Sequence, residues 1–131
     1  MTVPGSVTVP GSETVPGCGA GPKDVAVAAG EVEIVLERVA LEQVVSGAPS
    51  TGFTTITTLG DREVGVWEMT VGSMRDVETD EVFVVIAGRA TVSFDADGRV
   101  MHLSAGSVAR LSAGERTVWT VTETIRKVYL A

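Results

Sequence analysis

The chain has 131 residues, enough for one domain with a buried core, and its 44% hydrophobic and 21% charged residues suit a soluble globular fold. Seventeen acids against ten bases leave a formal charge of -7, which excludes nucleic acid and anionic membrane as partners, since both are bound through dense Lys/Arg patches. One cysteine and one histidine exclude an internal disulfide and a structural Cys/His zinc site; with no long apolar run and no basic or apolar leader, neither a membrane span nor a signal peptide is expected, and the expected setting is cytoplasmic.

Residues 1–22 are built on a repeat. Thr2-Val3-Pro4-Gly5-Ser6 recurs as Thr8-Val9-Pro10-Gly11-Ser12 and as Thr14-Val15-Pro16-Gly17. So much Gly and Pro, with so little bulk to bury, reads as a flexible tail; the alternative is that the Thr-Val pairs add an edge strand to the domain or to a partner. A single domain is expected over 23–131.

From Val25 onward the chain reads as short strands rich in Val, Thr and Ile. Residues 31–39 alternate with period two over their first half and predict a strand. Residues 41–45 fit a short helical turn, and 46–50 a loop. Strands follow over 53–59 and 63–70. Residues 81–86 form an apolar run after Glu81, which predicts a central strand buried on both faces and ended by Gly88. Residues 89–94 alternate, Asp95-Ala96-Asp97-Gly98 is a hairpin signal, and strands are expected over 99–103, 108–111, 117–121 and 125–130. Eight to ten strands with little helix point to a sandwich or barrel.

Four separated blocks carry a family resemblance. They are Gly65-Val66-Trp67-Glu68 with Gly72; Asp80-Glu81 with Gly88-Arg89; Gly106, Gly114 and Trp119; and Thr122-Glu123-Thr124 followed by Arg126-Lys127-Val128-Tyr129. In this order they resemble the cupin superfamily, within it the small single-domain group of ureidoglycine aminohydrolase-like and ethanolamine-utilisation cupins. The resemblance implies an all-β, antiparallel jelly-roll β-barrel of the RmlC-like kind, usually a homodimer.

That family usually binds a metal through a His-x-His pair, a glutamate and a later histidine. Here Glu81 and Gly88 keep the glutamate-to-glycine spacing. Counting back places the His-x-His pair on Arg75 and Val77 or on Met74 and Asp76, and the later histidine position holds Thr117. Glu81 is then the one family ligand left, and no metal and no other cofactor are expected. Glu78 and Asp80 read as solvated acids beside the strand. His102, between Met101 and Leu103, reads as an outward surface residue. Cys18 has no visible activating partner.

If Glu81 points inward as in the family, Phe83 and Val85 share its face, and Thr117, Trp119 and Val121 share one face of a later strand. Of the last strand, either Lys127 and Tyr129 or Arg126 and Val128 face in; parity leaves both open. The candidate site is therefore Glu81 as acid or base, with Trp67, Arg75, Phe83, Arg110, Thr117, Trp119, Lys127 and Tyr129 as ligand-binding residues. An arginine in a barrel mouth suits an anionic carboxylate. The expected function is binding of a small-molecule ligand without a metal, with acid–base catalysis of the isomerase, lyase or cyclase type at Glu81. The alternatives are a non-catalytic binding or interaction module, and a metal-dependent hydrolase or oxygenase with carboxylate ligands.

Overall fold

The computed structural model describes residues 24–131; the repeat segment over 1–22 and its Cys18 lie outside the described residues. Nine strands follow in chain order: β1 (Glu37–Arg38), β2 (Val44–Gly47), β3 (Ser50–Leu59), β4 (Arg62–Met69), β5 (Gly72–Val77), β6 (Glu81–Phe94), β7 (Val100–Ser104), β8 (Val108–Leu111) and β9 (Arg116–Leu130). Among the described residues the helical structure is two single 3-10 turns, Ala29–Glu31 and Leu41–Gln43. No helix among them is long and apolar enough to cross a membrane.

Every strand pairing is antiparallel, and the long strands β6 and β9 pair with each other and with β4, β5, β7 and β8. The first half of β9 lies between β5 and the second half of β6; its second half lies between β4 and the first half of β6. With β7 and β8 on the far side of β6, the sheet curls into the expected jelly-roll barrel. Both long strands pass from one wall to the other through a bend. In β6 the bend falls at Gly88, where the register with β9 shifts and φ is +91°. A Cβ there would run into the Thr124 carbonyl and come within 2.6 Å of Ile125 Cα, so glycine is required.

The bend corrects two expectations. Gly88 kinks β6 without ending it, and residues 117–121 and 125–130 are one strand bent at the exposed residues 122–124. Nor is β6 buried on both faces: Val82 and Val84 are 41% and 39% exposed, because one side of a curled single sheet faces water. The inward face carries Phe83, Val85, Ala90, Val92 and Phe94, which pack with Trp67, Met69, Met74, Leu103, Leu111, Trp119, Val121 and Ile125 as the core.

Residues 31–39, expected as a strand, contribute only β1. This segment reaches the outer side of the barrel, where side chains take its carbonyls in place of a ladder partner. Arg126 donates to the carbonyls of Ala29 and Val32, both at 2.9 Å, while its Nε donates to Glu68 at 2.8 Å, and Thr54 Oγ1 donates to the Glu33 carbonyl at 2.8 Å. The stretch 46–50, expected as a loop, holds the end of β2, paired with β5, and the start of β3.

Candidate active site

Period-two alternation on four strands aims the site inward. On β6 it buries Glu81, Phe83 and Val85. On β9 it buries Thr117, Trp119 and Val121, and beyond the bend Ile125, Lys127 and Tyr129. The odd-numbered positions stay inward on both sides of residues 122–124, so Lys127 and Tyr129 face in while Arg126 faces out onto Glu68. From β4 comes Trp67, directly opposite Lys127 in register, and from β5 Met74 and Asp76, opposite Trp119 and Thr117.

Glu81 is not alone. Its Oε2 lies 2.7 Å from Lys127 Nζ, with the glutamate and lysine side chains only 4% and 6% exposed. Three rings enclose the ammonium, their centroids 4.2 Å (Phe83), 4.4 Å (Trp67) and 4.8 Å (Trp119) from Nζ. Trp119 packs on both neighbours, 5.2 Å from Trp67 and 5.9 Å from Phe83 between centroids. An ammonium over ring faces gains from their quadrupoles most where water is excluded, as it is here.

A second carboxylate enters from the β5–β6 connection and corrects the reading of Glu78 as a solvated acid. Glu78 is buried, and its Oε2 accepts from Thr117 Oγ1 at 2.6 Å and Trp119 Nε1 at 2.9 Å. Its backbone is latched to the β8–β9 turn: Glu78 N donates to the Glu115 carbonyl and Gly114 N to the Glu78 carbonyl. Asp80, which is exposed as expected, helps the same latch by accepting from Ala113 N at 2.9 Å. Burial drives the Glu78 carboxyl above its ordinary value, while Lys127 and the bonds from Thr117 and Trp119 pull it down. Asp76, part-buried on the same inward face, has its pKa pushed up to about 7, first by burial and then by the charge of Glu78. Neither acid stood among the expected site residues. Their signal was the alternation of Met74, Asp76 and Glu78 against Arg75 and Val77, which continues past the end of β5.

Tyr129 faces in but serves another group. Its hydroxyl donates to Glu63 Oε2 at 2.7 Å, and Thr55 Oγ1 donates to the same oxygen. Burial, then the bond to Glu63, raises the phenol above its ordinary value. Gly65 makes room for this ring, since a Cβ there would come within 2.5 Å of the Tyr129 hydroxyl. Arg75 and Arg110 alternate outward and are exposed, so they do not join the inward cluster. His102 is exposed opposite Thr91, as expected.

The inward faces place the family's ligand positions on Met74, Asp76, Glu81 and Thr117. A thioether, a hydroxyl and two carboxylates, one of them closed on an ammonium, do not fit a metal that prefers imidazole ligands. Among the described residues no group of three or more His, Cys, Asp or Glu side chains converges so as to hold a metal ion.

A family model described as "EutQ-like cupin domain" matches residues 57–129. No curated protein matches the chain. Among solved structures, the EutQ protein of Clostridium difficile is 22% identical with a TM-score of 0.54, over 63% of this chain and 61% of that one, so the match spans less than two thirds of that relative. A putative ethanolamine utilization protein from Salmonella typhimurium is 17% identical, TM-score 0.56, over 76% of this chain and 94% of that one. A DUF861-family protein of unknown function from Pseudomonas syringae is 21% identical, TM-score 0.66, over 84% and 49%. At these identities the structures support the fold.

Proposed function

Because the chain belongs to the EutQ-like cupin family, we propose that its barrel binds a small organic ligand without a metal and moves a proton on it. The observation that carries this reading is the division of labour among the inward acids. Glu81 is closed on Lys127, a fixed charge pair that can orient a ligand. Asp76 is part-buried, lies on the same inward face and titrates near neutrality, as a general acid or base requires. The proton transfer expected at Glu81 is therefore assigned to Asp76, with Glu81 acting through Lys127. Trp67, Phe83 and Trp119 supply the walls. Isomerisation moves a proton between atoms of the ligand, elimination removes one as the bond to a leaving group breaks, and cyclisation transfers one as the ring bond forms, so each calls on such an acid or base.

The sealing of Glu81 by Lys127 also favours a second reading, a non-catalytic binding module, in which the same pair is structural. A cytoplasmic homodimer belongs to the proposal too. Val82, Val84, Val108 and Leu130 are neighbours in register and leave an apolar row on the outer face for a second copy.

The test has two arms. Elemental mass spectrometry on tag-free protein comes first, and stoichiometric metal would sink the metal-free reading. Thermal-shift screening with small organic acids and amines follows. A hit converted at a rate that follows an ionisation near pH 7, and lost in Asp76→Asn, supports catalysis. A hit bound unchanged, and equally well by Asp76→Asn, leaves the binding module.

A further inference from the structure

The surroundings of Lys127 Nζ have a chemistry of their own. Three π faces and one carboxylate enclose the ammonium, and among the described residues Lys127 is the one buried cation. The central ring is tuned for the task. Trp119 donates its indole N–H to Glu78 at 2.9 Å, and a negative acceptor on that N–H enriches the ring face that the ammonium meets. The rings also pack on one another, Trp119 lying 5.2 Å from Trp67 and 5.9 Å from Phe83 between centroids.

Such a set of walls selects for one class of cation. A divalent metal needs several oxygen, nitrogen or sulfur donors around it, and three hydrocarbon faces supply none. An alkylammonium ion is attracted by ring faces, needs only a few acceptors and buries its methylenes against apolar surface.

We propose that Lys127 is the resident cation of this barrel, standing against the glutamate that holds a metal in histidine-bearing cupins, and that the cage around it is an alkylammonium site filled by the protein's own side chain. A tethered ammonium then stands beside Glu81 where those relatives hold a metal ion. This deepens the metal-free reading and rests on it, but the two fail separately. Metal bound to the wild-type protein overturns the earlier reading, while the experiment below concerns only what the cage prefers.

In the full-length chain, Lys127→Ala deletes three methylenes and the ammonium, a fragment equivalent to n-propylammonium. The variant is melted in n-propylammonium chloride, in propan-1-ol at the same concentration, and in manganese chloride. The expected result is a rise in melting temperature with propylammonium that exceeds both other additions and is absent in the wild type. Equal stabilisation by propan-1-ol would show a hole that any alkyl chain fills, and greater stabilisation by manganese a latent metal site; either overturns the proposal. Should Lys127→Ala fail to fold, the wild type decides. Its lysine side-chain NH3 groups, observed by proton–nitrogen NMR, should include one shifted strongly upfield by the rings, assigned by its loss in Lys127→Met. A spectrum with every such resonance at the solvent-exposed position would refute the cage.

Discussion

Replacing Lys127 by Met keeps the bulk of the chain beneath the rings and removes only the charge. At 2.7 Å and an effective dielectric constant of 20, the attraction between Nζ and Glu81 is about 6 kcal/mol before desolvation is subtracted. Desolvation consumes much of that in the intact pair, which is why a buried pair adds little net stability over a well-packed apolar one. The single variant is another matter, because it strands the Glu81 carboxylate in a site where its side chain is 4% exposed. Removing one partner of a buried pair costs ~3–5 kcal/mol, and forfeiting cation–π attraction adds to it at ~0.5–2 kcal/mol. A domain of this size loses roughly 4 °C of melting temperature per kcal/mol, so a fall of ~14–28 °C is expected. The assay is urea unfolding of wild type, Lys127→Met, Glu81→Gln and the double variant. Each single change should cost several kcal/mol and the double far less than their sum, with a coupling of ~2–3 kcal/mol. Additive losses, or a Lys127→Met cost below ~1 kcal/mol, would refute the buried pair.

Asp76→Asn tests the titrating acid through stability against pH. A carboxyl whose folded pKa lies above its unfolded 3.8 holds its proton more tightly in the folded state; its burden is absent below about pH 4, grows through the window up to its folded value of about 7, and is full above that. The variant should therefore be more stable than wild type at pH 8 by up to about 4 kcal/mol, less whatever solvent screening removes, with the difference vanishing near pH 4. Gly88→Ala should cost ~2–4 kcal/mol in denaturant unfolding, since its Cβ meets the backbone of Thr124 and Ile125 and its φ is +91°. Arg126→Ala removes the guanidinium held by Glu68 and by the Ala29 and Val32 carbonyls. Hydrogen exchange should then accelerate over residues 29–36 while the core of β6 and β9 stays protected, and unchanged exchange there would show that Arg126 does not pin the segment.

Much of the barrel was written locally. Short runs of Val, Thr and Ile with turn residues between them can only bury one face each, so an all-β architecture follows from spacing and period. The same alternation placed Phe83 beside Glu81 and Trp119 beside Thr117, because parity holds along an unbroken strand. It fails across a bend. At Gly88 the inward set of β6 shifts from Glu81, Phe83 and Val85 to Ala90, Val92 and Phe94, whereas β9 keeps its odd positions inward through residues 122–124; the local pattern does not say which of these a bend will do, so it left Lys127 and Arg126 open. The alternation of Met74, Asp76 and Glu78 carries the direction of Glu78, but no local pattern shows its latch to Gly114 and Glu115, or that Lys127 finds Glu81 and three rings from three other stretches of chain. Those are long-range contacts, and the charge state and partners of each buried acid depend on which distant groups the closed barrel brings against it.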